Sequence, residues 1–293
     1  MSKTEVIDKL VKIVEEKTGK NVIIRNTQKN NGIVLTAICI ESGDVNVVPN
    51  IYIDDILDKL EKNMISYEVV ADQIILFNNE SQCTENIDVN DLISPEKIRS
   101  SVIPVLVNVE KNEKALRDWV NTPLGETGFT TIYKVVLSRD FHGVMTITLT
   151  NQALQMAGMT AAEVNSIAIE NMRDSYRINL VGEILKSHGV KIPEGFDEFP
   201  MFVLSSFDGQ WGASVLLYPN YLRDLSDFLN DNLLIIPSSI HEVFVLPYAC
   251  CEDIDCIKEL IPYCNVYEVD PTEVLGDNPF LYDKATGKLS LID

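Results

Sequence analysis

A chain of 293 residues with 46% hydrophobic side chains is long enough to bury one large core or two ordinary ones, which excludes a disordered chain. Its formal charge of −20, from 44 acidic against 24 basic residues, repels phosphate backbones and argues against direct nucleic-acid binding. No apolar run nears the ~20 residues needed to cross a bilayer, and the first twenty residues lack a signal peptide's apolar core; a soluble, cytoplasmic chain with six reduced cysteines is expected.

Ser2 and Glu5 have capping-box spacing, and Val6, Leu10, Ile13 and Val14 follow at helical intervals before Gly19, so the chain opens with an amphipathic helix. NVIIRN, the turn signal KNNG, IVLTAICIE, a turn at SGD and VNVVPNIYI then read as a three-stranded meander. Helical spacing returns over 54–62, and Val70, Ile74 and Phe77 continue it, although IILF suits a strand equally well. The polar stretch NNESQCTENIDVND, residues 78–91, is the candidate linker between an N-terminal domain at 1–80 and a larger one at 92–293, unless the chain forms one continuous unit.

Ser94 and Pro95 form an N-cap and N1 pair for a helix that leads into IPVLVNV. FTTIYKVVL and VMTITLTN flank SRDFHG as a hairpin; Thr160 and Glu163 cap a helix to about Met172, and another runs through Val181, Ile184 and Leu185 to Gly189. FPMFVLSS and WGASVLLY read as strands about an FDGQ turn. Asn220 is expected to cap a helix that buries Tyr221, Leu222, Leu225, Phe228 and Leu229. LLII, a turn at PSS, the strand HEVFVLP, an acidic helix near 252–261, a strand NVYEV and a hairpin around KATGK complete the chain. Short helices among many hairpin signals predict an α+β fold with mainly antiparallel sheets and helices packed on one face.

Within IIPSSIHEVFVLP, Ser238 or Ser239 as nucleophile, His241 as base and Glu242 as orienting acid make a candidate hydrolase cluster. Strand alternation over 240–246 would turn His241 and Glu242 to opposite faces, favouring a turn at Pro237–Ser239 with a structural histidine. No G-x-S-x-G elbow exists, since Gly212-Ala213-Ser214-Val215-Leu216 ends in leucine. His241 with Cys250, Cys251, Cys256 and Cys264 contains zinc-type ligands, but their spacing lacks a C-x2-C knuckle, so no metal and no cofactor is expected. His142 and His188 precede glycines at turns, and acidic runs such as Asp54–Asp55 and Glu252–Asp255 suit helix starts.

KNNGIVLTAICI, NIYID, VNVEKNEKAL, WGASVLLYP and IIPSSIHEVFVLP, in that order, resemble a family of bacterial proteins known only as a domain of unknown function. The resemblance implies a bacterial, intracellular protein with one full-length architecture, and carries over no activity or catalytic residue. Residues 1–30 hold seven basic against four acidic side chains, whereas 241–293 hold eleven acidic against three basic, leaving an acidic region for a basic partner. The expected function is a protein-binding or regulatory module whose partner is another protein, with no membrane or nucleic acid involved. The alternative is a hydrolase built on His241 with Ser238 or Ser239.

Overall fold

The computed structural model describes residues 2–41, 43, 48–81, 89–140 and 143–292. Two compact units emerge, residues 1–92 with 140–143, and residues 93–139 with 144–293.

In the first unit, α1 (Lys3–Thr18) starts on a complete capping box between Ser2 and Glu5 and ends at Gly19, whose φ of 65° suits a residue without a side chain. Next come β1 (Val22–Gln28) and β2 (Val34–Ile40), joined by a tight turn in which Asn31 adopts φ 60°, and β3 (Ile51–Tyr52). The third strand is thus two residues long within the expected VNVVPNIYI, of which residues 45–47 lie outside the described set. α2 (Asp54–Glu61) and α3 (Tyr67–Glu80) follow, then a short α4 (Val89–Leu92). IILF is helical: Ser66 caps α3 by accepting from Val69 N, and Val70, Ala71 and Ile74 recur at helical spacing on its buried side. α1 packs on α2 and α3, and Leu10, Ile38, Ile40, Leu60 and Ile74 lie in one core.

The second unit begins with α5 (Pro95–Ser101), capped by Ser94, which passes directly into β4 (Val102–Asn108). The chain continues through β5 (Asn121–Pro123), β6 (Phe129–Asp140), β7 (Gly143–Thr148), α6 (Asn151–Met156), α7 (Ala161–Asn171), β8 (Tyr176–Leu180), α8 (Val181–Ser187) and β9 (Phe202–Ser206). It ends with α9 (Pro219–Leu229), β10 (Leu233–Ser239), β11 (Glu242–Pro247), α10 (Ile254–Tyr267), β12 (Phe280–Asp283) and β13 (Lys288–Leu291). One sheet has the order β4-β6-β5, with β7 also on β6; the other runs β13-β12-β10-β11-β9-β8. The pairings β4/β6, β5/β6, β8/β9, β9/β11, β10/β11, β10/β12 and β12/β13 are all antiparallel, so the fold is α+β. Among the described residues, no helix is long and apolar enough to cross a membrane.

The main departure from the sequence reading is WGASVLLY. Gly212–Leu217 is a 3-10 segment, not a strand, and it packs against β4, β9, β11 and α9. Five of its six residues are buried, so its apolar content reflects burial on all sides and not a pleat. Leu106, Phe129, Leu204, Val215, Leu233, Val243 and Phe280 share a core that reaches both sheets, with the Phe129 and Phe280 rings 4.9 Å apart. Val102, Tyr133 and Val135 of the four-stranded sheet join Ile98 of α5 and Val164 and Ala168 of α7 in a separate cluster.

Other corrections are smaller. α9 is started by Pro219 at its first turn, with Tyr218 and not Asn220 as N-cap, and Phe228 is 78% exposed instead of buried. NVYEV is no strand: Asn265–Tyr267 form the last turn of α10. Pro262, which reads as a breaker, sits inside that helix on an exposed position; without its N–H, the Lys258 carbonyl lacks the usual bond four residues on.

Candidate functional site

The hydrolase cluster occupies the tip of the β10–β11 hairpin, but the turn falls later than expected. β10 runs through Pro237 and Ser238 to Ser239, Ser239 pairs with Glu242, and Ile240–His241 form the turn. The register shifts between Ile236 and Ser239, a bulge that absorbs Pro237, which has no N–H for the ladder. His241 is therefore a turn residue and not part of the strand that carries Val243 and Val245.

Hydrogen bonds fix that turn between two other segments. Trp211 N donates to His241 Nδ1 at 3.1 Å, and His241 Nε2 lies 3.3 Å from Glu273 Oε1. Nδ1 must then be the unprotonated nitrogen, so the neutral ring carries its proton on Nε2, the nitrogen on the side of Glu273. Ala213 N donates to Ile240 O, and Ile240 N donates to Glu273 O. Ser239 Oγ, buried, accepts from His241 N at 3.1 Å. The histidine thus meets Ser239 through its backbone, while both ring nitrogens are engaged elsewhere and neither is aligned to take a proton from Ser238 or Ser239. The carboxylate at the ring is Glu273, not Glu242.

Glu242 is half-buried on the neighbouring β11 position, where burial pushes its carboxyl above the ordinary value of 4.5. The folded state therefore holds this proton more tightly than the unfolded chain, and its contribution to stability is lost as pH rises above the ordinary carboxylate range. Glu242→Gln is expected to raise the melting temperature at about pH 7 and to change it little near pH 4, where the wild-type group is itself protonated. Thermal scans of both chains across that range check this; equal melting temperatures at pH 7 would refute it.

Ser214, centre of the incomplete elbow motif, is fully buried: it donates to Pro104 O at 3.0 Å and accepts from Leu106 N at 3.1 Å, so it is no exposed nucleophile. Among the described residues, no group of three or more Cys, His, Asp or Glu side chains can hold a metal ion. Cys250 and Cys256 are exposed, Cys251 and Cys264 half-buried, and all four are free thiols not gathered with His241. His188 Nδ1 lies 2.8 Å from Ile184 O at the end of α8, Asp54 accepts from Thr36 N and pairs with Lys3, and Asp253 caps α10: structural roles for each. His142 lies outside the described residues.

A cleft of about 440 Å³ opens between the start of β4, the end of α7 and the β9 exit. Its arginine, Arg139, is paired with Asp208, whose other oxygen accepts from Ser206 and Gln210 N, so these opposite charges neutralise each other.

The feature not foreseen from the sequence is the outer side of α10. Positions 256, 259, 260, 263, 266 and 267 recur at three- and four-residue steps and so share one side of the helix. Ile261 and Asn265 face inward; Asn265 Nδ2 donates to Gly276 O at 2.9 Å and Asp277 Oδ1 at 2.8 Å, which anchors the helix. Outward, Leu260, Tyr263, Val266 and Tyr267 are 53%, 61%, 73% and 67% exposed, and the two tyrosine rings lie 4.6 Å apart. Four large apolar side chains within eight residues form a contiguous patch, whereas scattered exposed apolar residues are ordinary. Helical continuation through Pro262 was the missing signal: with it, the 3-4 spacing of 260, 263 and 267 becomes visible.

The family model described as Family of unknown function (DUF5688) matches residues 3–284. Neither the curated proteins nor the solved structures contain a match.

Proposed function

Because the chain belongs to the DUF5688 family of unknown function, which supplies no activity to inherit, we propose from its own surface that it is a binding module for another protein and docks it on the outer face of α10. The observation that carries this reading is the exposure of Leu260, Tyr263, Val266 and Tyr267 on a helix whose inner face is anchored by Ile261 and Asn265. Transfer of one such side chain from water into a contact contributes about 1.5–3 kcal/mol when burial is complete, and interface hot spots are enriched in tyrosine. Five free thiols among the described residues suit a reducing compartment, so the reading places the protein in a bacterial cytoplasm. The hydrolase alternative has less support, since Trp211 N and Glu273 occupy the ring nitrogens of His241.

Tyr263→Asp is expected to weaken partner binding by about 30-fold or more and to leave the melting temperature unchanged, because the side chain is mostly in water. Phe228→Asp, still more exposed and on α9, serves as the control. The protein is used as bait with chemical crosslinking, and the captured partner is purified and titrated against all three chains. A stoichiometric partner that the Tyr263 variant alone loses supports the reading; retention by that variant, or no partner at all, refutes it.

A further inference from the structure

We infer that the occupant of this face is an amphipathic helical segment with lysine or arginine flanking its apolar stripe, laid along α10. The inference rests on the reading of α10 as a docking face and adds the partner's chemistry. Residues 252–270 carry six acidic side chains, Glu252, Asp253, Asp255, Glu259, Glu268 and Asp270, all exposed, against one basic side chain, Lys258. Lys258 sits on the inward side of the helix, only 25% exposed, and pairs with Asp255. Negative charge thus borders the apolar patch at both ends, and Glu259 lies within it.

Helix capping accounts for only part of this charge. Asp253 caps α10 and Asp255 lies in its first turn, where the dipole favours anions. Glu268 stands at the C-cap, where the dipole disfavours them, so its charge serves no local need of the helix. A cationic partner would relieve it. Tyr263 and Tyr267 add exposed ring faces on which lysine or arginine can rest. The apolar ridge from Leu260 to Tyr267 is about 10 Å long, so two or three turns of a partner helix cover it. The same rim disfavours the other occupants: a second copy would bring like charges together, and anionic lipid or nucleic acid would be repelled.

The test uses three synthetic 21-residue helical peptides: leucines at heptad a and d positions with flanking lysines, the same leucines with flanking glutamates, and the lysine peptide with its leucines changed to serine. Fluorescence anisotropy is measured against the full chain, a Leu260→Ser/Tyr263→Ser variant and a Glu259→Lys/Glu268→Lys variant. The leucine–lysine peptide is expected to bind the full chain at least about tenfold tighter than either other peptide. Its binding should weaken between roughly 0.05 and 0.5 M salt and be largely lost with both variants. Equal binding of the lysine and glutamate peptides, undiminished binding of the serine peptide, or no binding of any peptide overturns the inference. If a captured partner is still lost with Tyr263→Asp while the lysine peptide shows no preference, the docking face stands and only the partner's chemistry fails. Concentration-dependent dimers in sedimentation that vanish in the Leu260→Ser/Tyr263→Ser variant would make a second copy the occupant and overturn the inference as well.

Discussion

Gly212→Ala is expected to destabilise the second unit by about 3 kcal/mol or more, enough to remove a large fraction of the stability of an ordinary domain. A methyl group at this position would fall inside the van der Waals envelopes of the His241 carbonyl oxygen and Ser206 N, and 2.7 Å from Ser205 Cα. All three are backbone atoms of paired or hydrogen-bonded segments, so no rotamer change can make room. The residue before it, Trp211, already holds φ 53°, uncommon for a bulky side chain, and is kept there by burial and by its N–H bond to His241. Relaxing the loop to admit the methyl would break that bond and the one from Ala213 to Ile240. Gly209→Ala, three residues earlier, is the comparison: its φ is 72° but its surroundings are open, so only the backbone strain of about 1–2 kcal/mol applies. Urea unfolding of the two variants separates close packing from strain, and equal midpoints would defeat the packing argument.

Ser214→Ala is the second large effect, a loss of about 2–4 kcal/mol. β4 is an edge strand, and on its free side Pro104 offers a carbonyl and Leu106 an N–H that no strand takes up. A single hydroxyl satisfies both in a fully buried position. Removing it leaves one donor and one acceptor unpaired away from water, each at about 1–3 kcal/mol, and alanine's better helix propensity does not compensate. Ser226→Ala is the control: that buried hydroxyl donates to the Asp231 carbonyl alone, so a smaller loss is expected. Chemical denaturation of both variants measures the difference. A Ser214 variant no less stable than the Ser226 variant would show that the double bond to β4 contributes little.

The parts legible in the sequence were those decided within a few residues. The capping boxes at Ser2–Glu5 and Thr160–Glu163, the Ser94–Pro95 start, the turn at KNNG and the closing hairpin around KATGK all stand as read, because each rests on neighbours that satisfy one another's backbone groups. From such elements, the α+β class followed.

The candidate site was legible only in pieces. WGASVLLYP and PSSIHEV were visible as distinct segments, but not that one is bonded to the other, with Trp211 N on His241 and Ala213 N on Ile240. Nothing local separates a buried 3-10 segment from a strand when nearly every residue is buried, and nothing local reveals that Glu273, not Glu242, lies at the histidine ring. The same holds for α10, where NVYEV reads as a strand after a helix near 252–261 but the helix runs on to Tyr267, anchored by Asn265 on Gly276 and Asp277. Sequence by itself determined the chain's size, its acidity, the capped helices and the antiparallel class, since composition and short-range bonding suffice for these. Which polar groups satisfy each other across 30 or 110 residues, and which apolar face is left in water, only the tertiary structure decided, because burial and hydrogen-bond partnership belong to packed segments and not to residues.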